Sequence, residues 1–152
     1  MGNWSNEVEP LQDFKNLLDE NWVEYSDIPK PYLLIVNDVD EAISRINLNE
    51  SDYLLISVGS GEQYRMRGNW TYYDKIFEIV FNVLTKENRQ RLRNINKEIR
   101  SICLINKHSF PNWQLIRPIR YREYANTGDI NIWRGEITVN LENAGIKAEE
   151  TV

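Results

Sequence analysis

Tyr72-Tyr73-Asp74-Lys75-Ile76-Phe77-Glu78-Ile79-Val80-Phe81-Asn82-Val83-Leu84 sets Phe77, Ile79, Phe81 and Val83 on one parity, with Glu78 and Asn82 on the other. Successive side chains of a strand point to opposite faces, so this period of two predicts a long β-strand with one apolar face against a core. The pattern then changes to helical spacing. Thr85 suits an N-cap, and Glu87 falls where a negative charge complements the helix dipole. Leu92, Ile95, Ile99 and Ile102 recur at intervals of 3, 4 and 3 along a helix reaching about Ile105, which places all four on one face.

Upstream of this unit, Tyr53–Val58 is a second apolar run, stopping at Gly59-Ser60-Gly61, so that Gly59–Trp70 reads as a flexible connection between strands. Tyr32–Val36 follows Pro29 and Pro31 and is continuously apolar, the pattern of a strand covered on both faces. Asn37-Asp38-Val39-Asp40 can end it and cap a brief helical turn through Ala42, Ile43 and Ile46. Leu11, Phe14, Leu17, Leu18 and Trp22 form the stripe of an N-terminal amphipathic helix over Glu7–Trp22.

Downstream, a turn over Lys107–Asn112 leads to alternation from Trp113 to Tyr124, where Pro118 predicts an edge or bulged strand because proline lacks a backbone donor. Asn126-Thr127-Gly128-Asp129 supplies a turn into Ile130–Leu141, making a closing antiparallel hairpin. The order predicts an α+β fold: a largely antiparallel, twisted β-sheet with an N-terminal helix and one long helix packed on one face. Residues 1–144 form the single domain expected of a chain of 152 residues, and 145–152 read as a solvated tail.

The chemistry-bearing side chains are few. His108 is the sole histidine and sits in a predicted turn; Cys103 is the sole cysteine and lies among isoleucines and leucines, where it reads as a small core residue. One Cys and one His cannot build a structural zinc site, and no nucleophile elbow or phosphate-binding glycine motif occurs. No catalytic residue, metal site or cofactor is expected. Asn37, Asp38, Asp40 and Glu41 are the tightest cluster of oxygen ligands; helix capping explains them, and a divalent cation in a metal-dependent nucleic-acid-processing enzyme is the alternative. No apolar run approaches the roughly 20 residues of a membrane-crossing helix, and the N-terminus lacks the pattern of a secretory signal.

A net charge of −5 argues against generic nucleic-acid binding. The charge is uneven, however. Acids concentrate in the first 52 residues, while Lys86, Arg89, Arg91, Arg93, Lys97 and Arg100 crowd the long helix, a face suited to solvent, to an acidic partner or to nucleic acid. The chain also holds five Trp, eight Tyr and four Phe, more than its core needs, and those at element ends are expected at interfaces. That leaves protein binding as the expected role, with a small adaptor or regulatory module as one form of it.

The element order resembles the tail-terminator and tail-completion proteins of long-tailed bacterial or archaeal viruses. The corresponding pieces are the helix through Leu11–Leu18, the extended Ile28–Ile35, the strand ending Phe77–Val83, the helix at 86–105 and the closing Trp133–Leu141. The resemblance rests on order and hydrophobic pattern, and the Asp38–Glu50 insertion departs from the shorter members. It implies a virion structural protein of the neck or tail, assembled in the host cytoplasm: a homo-oligomeric ring, with a hexamer as a candidate form. Such a ring caps the tail tube, docks to the head connector and meets DNA only through its lumen. Residues Trp22, Gly59, Gly61, Arg65, Arg67, Trp70, Tyr72, Arg89, Arg93 and Lys97 are the candidate interface.

Overall fold

In the computed structural model, which describes residues 5–22, 29–68, 71–124 and 132–147, the chain runs α1 (Ser5–Asn21), β1 (Tyr32–Ile35), α2 (Val39–Arg45), β2 (Tyr53–Arg67), β3 (Tyr72–Thr85), α3 (Arg89–Ile105), β4 (Leu115–Glu123) and β5 (Trp133–Lys147). The strands form a five-stranded sheet in the order β1-β2-β3-β5-β4, antiparallel except for the β1–β2 pair. This is the α+β arrangement the patterns predict.

The alternation in β3 does what its sequence requires. Phe81 stands between Ile56 of β2 and Ile137 of β5, and Phe77 lies opposite Leu141, so three strands bring apolar side chains to one face. On that face α1 places Leu11, Phe14 and Leu18, with Trp22 just after it, and α3 places Leu92, Ile95, Ile99, Ile102 and Cys103. Each large apolar side chain buried there contributes about 1.5–3 kcal/mol. Phe14 packs edge-on against Phe81, with ring centroids 4.9 Å apart. Burial pushes the Cys103 thiol up to about 12, so it stays protonated as a core residue.

Several boundaries differ from the sequence expectation. Thr85 is the last residue of β3 rather than a helix cap. Its hydroxyl donates to Asp52 Oδ1 at 2.6 Å, and Asn88 caps α3 by accepting the Arg91 N–H at 2.9 Å. β1 is not covered on both faces: it is an edge strand, and Tyr32 is exposed. Among the described residues its second face meets only α2, which is seven residues long and has no buried residue. α1 and α3 therefore share one face of the sheet, whereas α2 lies on the other. β5 continues through Lys147, so residues 145–147 belong to the sheet, paired with Tyr72 and Tyr73, and not to a tail. Residues 148–152, and the predicted turn at Asn126–Asp129, lie outside the described residues. Pro118 sits on edge strand β4 at a register shift, as its missing donor demands.

Candidate interaction surface

The stretch from Gly59 to Arg67 is the outer half of β2 instead of a loop, and with the start of β3 and the end of β5 it makes an arm. A register shift between Val58 and Gly61 lets the strand pass the glycines without stopping. Gly61 takes a positive φ of 75°, and a Cβ on Gly59 would stand 2.3 Å from Glu78 Oε1. That space lets Glu78 fold over the bulge, where its carboxylate accepts from the Ser60 N–H and hydroxyl, each at 3.0 Å.

Beyond the bulge, all residues from Glu62 to Gly68 are exposed. Tyr64, Met66 and Tyr72 bring large apolar area to the surface there. Such groups are enriched at protein interfaces. Tyr64 stacks edge-on with Tyr73 at 5.7 Å and donates its hydroxyl to Glu62. This hydrogen bond, aided by burial, pushes the Tyr64 phenol up to about 12. Burial works to raise the Glu62 carboxyl, but the hydrogen bonds from Tyr64 and Lys75 outweigh it and hold the group below the usual range.

Asp74 fastens the arm. Ala144 and Gly145 of β5 stand opposite this single residue of β3, and its carboxylate accepts the Gly145 N–H at 3.0 Å. It also pairs with Arg67 of β2 at 2.9 Å. The Gly145 N–H first, and then Arg67, hold the Asp74 carboxyl below its ordinary value despite burial. One side chain thus ties three strands together.

Of the predicted interface residues, Gly59, Gly61, Arg65, Arg67 and Tyr72 come together on this arm. Trp70 lies outside the described residues. Trp22 is a correction: it is only 9% exposed and belongs to the core, because the end of α1 turns its indole inward. Arg89 and Arg93 both reach Glu123 of β4, at 3.3 and 3.1 Å, and Arg91 reaches Asp52 at 3.2 Å. Much of the basic face of α3 is thereby neutralised within the chain. Lys97 and Arg100 have no ion pair among the described residues.

Sequence reasoning missed the roles of Asp74 and Glu78, which had no distinguishing signal beyond being acids in a strand, and of Glu62, which fell in the predicted connection. It also missed a charge contrast between the two edges of the sheet. On the face opposite α1 and α3, β4 carries Arg117, Arg120 and Arg122, which register against Asn140, Thr138 and Glu136 of β5. At the other edge, α2 and its N-cap carry Asp38, Asp40 and Glu41 against the single Arg45.

The acids of α2 do not converge. Asp38 accepts the Glu41 N–H as N-cap, Glu41 pairs with Arg45 at 2.6 Å, and Asp40 lies 3.8 Å from Arg134. Among the described residues no three of His, Cys, Asp and Glu gather as a metal site would require. His108 is in an exposed turn, with Nδ1 3.1 Å from the Gln114 carbonyl oxygen. No described helix is long and apolar enough to cross a membrane. In comparison with known proteins, no family model matches this chain, and no curated protein matches it in sequence.

Proposed function

We propose that this chain is a structural subunit of a virus neck or tail: a tail-terminator or tail-completion protein whose copies close into a ring. The ring caps the tail tube, docks to the head connector and works by fit rather than by turnover. The arm is the observation that carries this reading. Its outer half lies outside the core cluster, it exposes Tyr64, Met66 and Tyr72, and the Asp74 and Glu78 fastenings help to hold its shape. A chain that spends so much ordered backbone outside its core gains from that expense when the surface meets another protein.

The role of neck subunit follows from the element order, which resembles such proteins, and from a sheet whose two edges differ in charge. Two unlike patches are what a head-to-tail ring needs, since each copy offers one to each neighbour. Sedimentation velocity across a concentration series, with negative-stain images of the fastest species, tests the proposal. Closed rings of uniform diameter are expected. A monomer at every concentration, including in the presence of tail-tube subunits, would refute it.

A further inference from the structure

We infer that the groove between α2 and edge strand β1 is the docking site for edge strand β4 of a second copy of this chain; this rests on the ring reading and names its contact. The groove encloses about 520 Å³. Tyr32, Leu34 and Tyr53 line its sheet side, and Asp38, Glu41 and Arg45, the last two paired with each other, line its helical side. Tyr32 is 57% exposed. An apolar floor beside a wall of two acids and one arginine, net negative, fits an occupant that is apolar and net basic.

β4 is such an occupant. Its bulge between Pro118 and Arg120 leaves Ile119 unpaired with β5 and half exposed. The flanking Arg117 and Arg120 are more than half exposed even while they touch Glu142 and Glu136. β1 and β4 are opposite edges of one sheet, so the contact is heterologous and leaves each copy one free site of each kind. The sides also agree. Arg117 and Arg120 lie on the face of the sheet that α2 occupies, so a neighbour set edge to edge brings them beside Asp38 and Glu41 without turning over. Tyr32 and Val36 donate their N–H groups to β2, and strand alternation therefore turns those of Leu33 and Ile35 away from β2. Complementary charge at such a contact sets orientation and partner choice.

The full-length chain tests this in two ways. Tyr32→Cys and Ile119→Cys are made in separate chains; the native Cys103 is buried and protected from the reagent. Mixing the two should give a disulfide dimer under mild oxidation, while either alone gives far less. Second, Glu41→Lys and Arg120→Glu should each weaken self-association roughly tenfold or more, and the two changes in one chain should recover most of the loss. Melting curves report whether each variant folds, and the cysteine pair keeps the test open if a reversal does not. Wild-type assembly that persists in both reversals, with no preference for the mixed cysteine pair, overturns the docking site and leaves the ring reading standing. Wild-type chains that never associate overturn both.

Discussion

Replacing Asn88 by Ala and, separately, Thr85 by Val distinguishes the two possible starts of α3, because sequence pattern favours Thr85 as the cap and the structure gives that role to Asn88. Loss of an N-cap side chain costs about 1 kcal/mol, within a range of roughly 0.5–2. Thr85 does something else: it is fully buried, and its hydroxyl donates to Asp52 at 2.6 Å. A hydrogen bond to a charged group contributes about 1.5–3 kcal/mol. Asp52 keeps Arg91 at 3.2 Å, so the carboxylate is not orphaned and the lower half of that range applies. For a domain of this size 1 kcal/mol corresponds to about 2–4 °C in Tm. Thermal unfolding followed by circular dichroism at pH 7 should therefore show a drop of about 2–4 °C for Asn88→Ala and about 4–8 °C for Thr85→Val. A cycle with Asp52→Asn should give a coupling of about 1 kcal/mol between positions 52 and 85. If Asn88→Ala is silent, or if the changes at 52 and 85 simply add, the reasoning fails.

Three further outcomes follow from the same geometry. Asp74 has a lowered carboxyl, so its contribution is complete above the ordinary aspartate value of about 4 and disappears as pH falls through its folded value. The protection of the arm amides relative to their intrinsic exchange rates, at Gly145 above all, should fall below about pH 4 while the α3 amides keep theirs; an equal change across both would contradict the clasp. Gly59→Ala should push Glu78 off the Ser60 N–H, loosening the bulge and costing on the order of 1 kcal/mol, which urea unfolding would detect. Thr138 is buried, and among the described residues its hydroxyl has no hydrogen-bond partner. Thr138→Val should accordingly hold or raise the melting temperature, and a clear loss would show that the hydroxyl has a partner after all.

What could be read from sequence depended on whether one face of an element meets the core. β3 and α3 each turn one face to the main core, so Phe77, Ile79, Phe81 and Val83, and Leu92, Ile95, Ile99 and Ile102, carried their periods openly and all are buried. The outer half of β2 has no such face. With both sides of Glu62–Arg67 in solvent there is no alternation to detect, and Gly59-Ser60-Gly61 looked like an end when it is a bulge. An apolar run such as Tyr32–Ile35 shows that a strand exists but not how many neighbours it has, and α2 proved too short to cover it. Trp22 misled because the end of a helix is not the edge of a core. The arginines of α3 looked free because Glu123, which neutralises two of them, lies 30 residues further along the chain from Arg93. Pairings set by the sheet are invisible until strand order is known, and the charge contrast between β1 and β4 belongs to that class.

Native mass spectrometry of the full-length chain at micromolar concentration tests the central claim most directly, because a closed head-to-tail ring has one mass. A single dominant species at a fixed multiple of 18.0 kDa is the expected spectrum. A lone 18.0 kDa species at all concentrations, or a ladder with no preferred size, would contradict the account.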